Sequence, residues 1–359
     1  MNILFITTGI SYGGAYKIFV WLMNQLVTKG HRVSLLTYRT DKTIAYQHID
    51  THVIRVHLPL ESKGGSITQC AKSIITLHRH IKKEGYDLGI AFLPPAQIRL
   101  ILACKGTKTK SLISQRGDPS SSILTKSSYI PQILIQKILT LSDGFVFQTR
   151  CAMKHYPESV QRKSIIIPNP IIPLHRTLKR LPEKRIVNVA RLEIRQKRQD
   201  VLINAFNLLT VHHPDYILEL YGNGKDESFL RNLAKENKNI KFMGVTNDIV
   251  SSIQNAAMFV LSSDFEGIPN ALLEAMSLGI PCITTNYSPG GANLIISNRE
   301  NGLIVERNDV DSLAKKMEEF IDNASFSERC GKMGHKTVIN LNDKAIIEKW
   351  IKYMNKTTS

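Results

Sequence analysis

The chain is predicted to be an α/β protein made of two Rossmann-like domains. Three observations predict this. Its 359 residues exceed the length at which a single hydrophobic core stops growing. Short apolar, β-branched runs recur through both halves, and most are nearly continuously hydrophobic, as strands covered on both faces are. Helix-period segments lie between those runs, and strand–helix–strand repetition implies parallel sheets with right-handed crossovers.

In order along the chain, strands are expected at 2–7, 32–38, 87–93, 110–115, 144–149 and 164–168. A second set is expected at 185–191, 216–221, 239–242, 258–263, 280–285 and 302–306. Helices are expected at 15–29, 67–84, 199–209, 227–236, 271–278 and 309–321, with a last amphipathic helix over 343–355 carrying Trp350. The stretch IIIPNPIIP (165–173) holds three prolines and the polar, basic segment after it resembles a linker. The domains are therefore placed at 1–172 and 173–342, with 343–359 as a C-terminal helix returning to the first. In doubly wound sheets ligands sit at the carboxyl ends of the strands, so two such domains are expected to face each other across a cleft.

Hydrophobic content of 43% and charged content of 21% are those of a soluble globular protein. Cys70, Cys104, Cys151, Cys282 and Cys330 lie far apart with no C-x-x-C, which fits reduced thiols in the cytoplasm better than a disulfide framework or a zinc site. The opening MNILFITTGI lacks a basic segment before its apolar run and is read as a first strand, not a signal peptide. No apolar run approaches the ~20 residues that cross a bilayer. Residues 1–170 carry 22 Lys/Arg against 8 Asp/Glu, a balance of +14, whereas residues 171–359 carry 25 against 22, only +3. So basic a first half suggests a polyanionic partner such as an anionic membrane surface. The cations are dispersed and no nucleic-acid module or aromatic platform accompanies them, so nucleic acid is not expected.

The segment SSDFEGIPNALLEAMSLGIP (262–281) is a buried strand end, a polar turn with Gly267 and Pro269, and a helix beginning near Asn270. Backbone N–H groups at such a turn attract phosphate or sugar hydroxyls, and a carboxylate there can accept two hydrogen bonds from a vicinal diol such as ribose. Alone, Glu266 and Glu274 would equally suit dipole complementation. In VNVARLEIRQKRQD (187–200) a strand runs into Arg191 and a basic turn. TGISYGGAYK (8–17) is a glycine-rich turn between first strand and first helix, where Gly13 and Gly14 permit close backbone approach to a ligand. SLISQRGDP (111–119) puts Gln115, Arg116 and Asp118 at a strand end. In NYSPGGAN (286–293), Gly290 and Gly291 are candidates for close approach to a phosphate. The eleven histidines show no metal-ligand spacing, and Asp264-Phe265-Glu266 is not read as a metal-binding D-x-D.

Glu266-x7-Glu274 within EGIPNALLEAM resembles the E-x7-E signature of family 4 glycosyltransferases, retaining enzymes of the two-Rossmann-domain GT-B class. The resemblance covers nearly the whole chain and is clearest from 185 to 306. It implies a nucleotide-sugar donor as substrate, no metal or other cofactor, Glu274 on the ribose, and Glu266 beside the donor sugar. Amides of Gly267, Ile268, Pro269 and Asn270 are implied as the segment that meets sugar and phosphate. Arg191 and Lys197 resemble the pair directed at the donor diphosphate, although one extra residue separates them here and Arg195 competes with Lys197 for that role. The loop 242–246 (FMGVT), with Val245, resembles the one that packs on the donor base, by family habit uracil. Gly13 and Gly14 match the family's first glycine loop. Arg116 resembles the arginine of an S-E/Q-R-x-D-P motif in bacterial polysaccharide and lipid-linked oligosaccharide transferases, which implies contact with an acceptor pyrophosphate or developing charge. The expected activity is transfer of a hexose from a UDP-sugar to a glycan or polyprenyl-pyrophosphate-linked acceptor, for polysaccharide, capsule or lipopolysaccharide assembly. The expected location is the cytoplasmic face of the cell membrane, peripherally bound. A sugar-nucleotide 2-epimerase on the same fold is the alternative.

Overall fold

A computed structural model describes residues 1–7, 14–38, 48–58, 67–117, 119, 132–171, 182–246 and 248–359. Gly13, Asp118 and most of the proposed linker lie outside the described residues. The chain divides into two units, Met1–Pro170 with Lys344–Ser359, and Ile171–Asp343.

The first unit contains β1 (Asn2–Thr7), α1 (Gly14–Thr28), β2 (Arg32–Thr37), β3 (Ile54–His57) and α2 (Ile67–Glu84). There follow β4 (Leu88–Ala91), α3 (Pro94–Cys104), β5 (Lys110–Gln115), α4 (Gln132–Thr140) and β6 (Gly144–Phe147), then α5 (Arg150–Lys154), α6 (Glu158–Gln161) and β7 (Ser164–Ile166). Its strands form one parallel sheet in the order β3-β2-β1-β4-β5-β6-β7. Because β1 is sandwiched, alternate residues serve opposite layers. Leu4 and Ile6 pack with Leu77, Ile81 and Ile101 of α2 and α3, while Phe5 meets Phe19 of α1 edge-on at 5.2 Å.

The second unit contains β8 (Glu183–Val189), α7 (Ile194–Lys197), α8 (Gln199–Leu209), β9 (Ile217–Tyr221), α9 (Glu227–Leu233), β10 (Ile240–Gly244) and α10 (Ile249–Ile253). It continues through β11 (Ala256–Leu261), α11 (Asn270–Ser277), β12 (Cys282–Thr285), α12 (Ala292–Ile295), β13 (Leu303–Val305), α13 (Val310–Asp322) and α14 (Ala324–Val338). Its sheet runs β10-β9-β8-β11-β12-β13, again parallel throughout. Ile186 joins the core beneath α8 and α13, and its neighbour Val187 the core beneath α11. Both sheets therefore reverse winding direction once, between β1 and β4 and between β8 and β11, the places where open α/β sheets accept ligands.

A final helix, α15 (Asp343–Thr358), starts at the end of the second unit and packs in the first. Trp350 is fully buried and stacks on Phe92 with ring centroids 6.1 Å apart. The Tyr353 hydroxyl accepts the Phe145 N–H at 3.1 Å and donates to the Lys163 carbonyl. Gly144 leaves room for it, since a Cβ there would stand 3.0 Å from that hydroxyl.

Candidate functional site

In the second unit, the segments that leave β8 and β11 meet at the sheet's reversal point. The Asn188 side-chain amide donates to the Val260 carbonyl at 2.8 Å and ties the two strand ends together. Beyond β8 the chain is cradled by the loop after β9. A Cβ on Gly222 would come 2.0 Å from the Ala190 carbonyl oxygen, and one on Gly224 2.2 Å from that of Leu192, so only glycine fits either place. Leu192 N–H donates to the Asn223 carbonyl at 2.9 Å, and Asp226 accepts the Ile194 N–H at 2.8 Å at the start of α7. These residues escaped the sequence reading. The signal was a G-x-G directly after a buried strand, at 222–224.

The turn 190–198 presents four cations in different ways. Arg191 is 61% exposed, held loosely by Glu193 at 3.3 Å and the Gln196 side-chain oxygen at 3.1 Å. Arg195 is exposed and forms no ion pair among the described residues. Lys197 lies inward, largely covered, with its ammonium against the Glu266 carboxylate. Arg198, unremarked in the sequence, has φ +48°, a left-handed conformation unusual for a side chain with a Cβ. Its fork grips Asp200 at 3.0 Å, Asp264 at 3.3 Å and the Asn308 side chain at 2.6 Å, and these carboxylates raise its pKa despite burial. Arg198 thus links the turn after β8 to the turn after β11. Strained residues persist where surroundings over-determine them, often beside functional groups.

From β11 the chain passes through Ser262 and Ser263, both buried, to Glu266, which is 7% exposed. Ser263 Oγ donates to Glu266 Oε1 at 2.7 Å, on the same oxygen that receives Lys197. Ser262 Oγ donates to the Lys197 carbonyl at 2.9 Å, and Gln196 exchanges two bonds with the turn, to the Phe265 carbonyl at 3.0 Å and from the Asp264 N–H at 2.8 Å. Asp264 is committed to Arg198, so the D-x-D is spent on structure. The turn is also stitched to the segment after β12, Ser288 N–H to Asp264 O and Glu266 N–H to Ser288 O, both 2.9 Å. Gly291 proves to be a packing residue: a Cβ there would meet the Gly267 carbonyl at 2.7 Å and the Tyr287 ring at 2.9 Å. Tyr287 is fully buried, and burial first, then the nearby Glu266 charge, raises its hydroxyl pKa.

Helix α11 opens at Asn270 after Pro269, whose side chain makes no capping hydrogen bond, and its first turn carries the positive end of the helix dipole. Glu274 is half-buried on the same helix, and Gly267, Ile268 and Pro269 form the turn that leads into it. Val245 is 58% exposed beyond β10, where Gly244 accepts the Gly222 N–H at 2.7 Å. Asn293 donates to Asn286 at 3.2 Å. His213, in the turn after α8, stands 3.7 Å from Glu318 and 3.6 Å from Asp322 of α13. Among the described residues it forms the one His/acid cluster with metal-ligand spacing, apart from these strand ends.

In the first unit, Gly14 is exposed at the start of α1. Arg116, just beyond β5, was expected at an open strand end, but the structure puts it in a cage. Its guanidinium lies over Phe92 at 4.9 Å and Trp350 at 5.3 Å. Nε bonds Ser114 at 2.7 Å and Nη1 bonds Asn169 at 2.9 Å. Nη2 is shut off from water without a hydrogen-bond partner. No carboxylate among the described residues pairs with it, and burial lowers its pKa to about 9.

Two parallel, doubly wound sheets in the order just described are the architecture of the GT-B fold. The solved structures agree. A lipopolysaccharide outer core galactosyltransferase, WaaB, superposes with a TM-score of 0.79 over 99% of both chains at 17% identity. HepE of Anabaena, solved with UDP, gives 0.79 over 99% of this chain and 100% of its own at 15% identity. Residues 175–337 match the family described as "Glycosyl transferases group 1". The second unit therefore carries the group 1 glycosyl transferase domain, and the chain is a glycosyltransferase similar to family 4 enzymes. A Haemophilus influenzae protein described as an uncharacterized glycosyltransferase is 25% identical over 95% of this chain and 96% of its own length. A Campylobacter jejuni GalNAc-alpha-(1->4)-GalNAc-alpha-(1->3)-diNAcBac-PP-undecaprenol alpha-1,4-N-acetyl-D-galactosaminyltransferase is 24% identical over 98% of both.

Proposed function

We propose that the chain transfers a sugar, with retention of anomeric configuration, from a UDP-sugar to a hydroxyl of a glycan or polyprenyl-pyrophosphate-linked acceptor in cell-surface polysaccharide or lipopolysaccharide assembly. The observation that carries this reading is the buried Lys197–Glu266 pair, set between two strand ends at the second sheet's reversal point. An ammonium held in place by a carboxylate is ready for a diphosphate without reorganising, which is how an enclosed site stabilises charge that develops on a leaving group. Arg191, more exposed, supplies a second positive charge, and the dipole at the start of α11 a third partial one. Glu274 is assigned to the ribose hydroxyls, Val245 to the base, and the turn from Gly267 to Asn270 to sugar and phosphate.

As the diphosphate departs, the glycosidic carbon gains oxocarbenium character. The acceptor hydroxyl attacks from the face the leaving group vacates and passes its proton to the departing phosphate oxygen. Glu266, buried and already bonded to Lys197 and Ser263, is a positioning group in this scheme and forms no covalent intermediate. The cations carry the phosphate charge, so chelation by EDTA is expected to leave turnover unchanged. Support for a lipid-linked acceptor comes from the Campylobacter relative, named for one, and from the +14 balance of residues 1–170. The peripheral membrane location rests on the same balance. No described helix is long and apolar enough to cross a membrane.

The test is a panel of nucleotide-sugars in thermal shift, followed by product analysis with and without acceptor. A ligand at 100 times its Kd adds about 2.7 kcal/mol of stability. UDP and a UDP-sugar are expected to stabilise the wild-type chain but not Glu274→Ala or Arg191→Ala. Isomerised donor in the absence of acceptor would instead identify an epimerase.

A further inference from the structure

We propose that the layer formed by α2, α3 and α4 in the first unit is the face that rests on an anionic lipid bilayer, with the α4 side chains entering the headgroup region. The inference rests on the membrane reading above and names the surface responsible. Right-handed crossovers from β3 to β4, β4 to β5 and β5 to β6 put these helices side by side on one face of the sheet. α2 packs on α3 and α3 on α4.

The charge on this layer is one-sided. Lys72, Arg79, Lys82 and Lys83 point outward from α2, Lys105 follows α3, and Lys137 points outward from α4; the only acid in the three helices is Glu84. None of the six forms an ion pair among the described residues. Cations left without acidic partners over a helix layer are complementary to a polyanionic plane.

Apolar exposure coincides with that charge. Ile133 is 71% exposed, Leu134 48% and Leu141 45%, on the outer side of a helix that buries Ile135, Ile138 and Leu139 inward. Ile133 and Lys137 are four residues apart and so stack along one helix line, with Leu134 beside them and Leu141 just past the helix end. Lys105 Nζ donates to the Leu141 carbonyl at 2.6 Å, placing an ammonium at the end of that line. On α2 the exposed row is Lys72, Ile75, Arg79 and Lys82, with Ile75 50% exposed between cations. Apolar side chains flanked by lysines suit the boundary between acyl chains and headgroups, where ammonium groups snorkel to phosphate. A nucleic acid would match the charge but leave Ile133 and Leu134 without a role.

The test uses the full chain with phosphatidylcholine vesicles, with and without phosphatidylglycerol, read by co-sedimentation. The wild type is expected to bind only the anionic vesicles and to be released by high salt. Lys72→Glu/Arg79→Glu/Lys82→Glu should weaken partitioning by about fivefold per cation removed. Ile133→Ser/Leu134→Ser should weaken it several-fold with the salt dependence retained. Lys235→Glu/Lys332→Glu in the second unit should bind as wild type, and circular dichroism with a wild-type calorimetric profile should confirm that every variant is folded. Equal binding by the α2 variant, or by the α4 variant, would overturn the proposal, as would wild-type binding to neutral vesicles or to none. Binding to RNA that neither variant disturbs would overturn it as well. Each of those outcomes leaves nucleotide-sugar transfer to a soluble acceptor intact, so the surface and the chemistry fail separately.

Discussion

Glu266 and Lys197 show how much of a site's behaviour is set by a single covered ion pair. Removing Lys197 leaves a carboxylate that is largely shut off from water with only Ser263 bonded to it, and an unpaired buried charge is costly. Lys197→Ala is therefore expected to lower stability by about 2–4 kcal/mol in chemical denaturation as well as to weaken UDP binding. Lys197→Ala/Glu266→Gln should recover most of the stability and none of the binding. Arg198 offers a cleaner separation of fold from function. Arg198→Gly removes the left-handed strain, which favours the native state, and also removes the brace to Asp264 and Asn308. Denaturation should show it within about 1 kcal/mol of wild type, while steady-state kinetics show a raised KM for donor and a reduced kcat. Unchanged kinetics would mean that the brace has no bearing on the donor turn. For Arg116 the opposite exchange is expected. Its enclosed guanidinium has no carboxylate partner among the described residues, so Arg116→Met should leave stability equal or higher by about 1–3 kcal/mol. A loss of acceptor-dependent turnover in that variant would mark Arg116 as functional, and full activity would mark it as a packing residue against Trp350.

At the level of elements, legibility followed burial. Strands such as β1 and β11, sandwiched between layers, were visible as continuous apolar runs; β1 lies at the expected 2–7 and β11 two residues before the expected 258–263. β3 was not foreseen because, as an edge strand of four mostly exposed residues, IRVH, it needs no apolar signal. α3 was hidden by Pro94 and Pro95, which punctuate a sequence but fit a helix's first turn, where no N–H is needed. α14 was hidden by Gly331 and Gly334, which look like breakers. Their reason is tertiary and invisible in one dimension: a Cβ on Gly331 would stand 2.2 Å from the Gly279 carbonyl oxygen, and one on Gly334 3.2 Å from that of Asn301. Gly331→Ala is accordingly expected to destabilise the second unit by about 1–3 kcal/mol, despite the better helix propensity of alanine, as measured by the denaturation midpoint. The donor turn was legible because its chemistry is concentrated in two short strings. The supports under it, Gly222, Gly224, Asp226 and Arg198, were not, because each acts on backbone or side chains far away in sequence.

Across the whole molecule, the chain's last sixteen residues belong to the unit that contains its first strand. α15 supplies Trp350 and Met354, both fully buried, and Tyr353, whose hydroxyl closes two backbone groups near β6. The first unit's stability therefore depends on a segment that follows the second unit in the chain. Trp350→Ala would empty a large site beside Phe92 and uncover the Arg116 cage, at a cost of about 3–5 kcal/mol. The second unit has separate cores, built around β8 and β11, that do not include Trp350. Calorimetry of the Trp350→Ala chain is thus expected to show a low-temperature transition from the first unit and a later one from the second. UDP should raise only the later transition, because the residues assigned to it, Arg191, Lys197 and Glu274, all lie in the second unit. A single transition that moves as a whole with UDP would show instead that the two units unfold together, and that the C-terminal helix stabilises the donor-binding unit as much as the one it packs in.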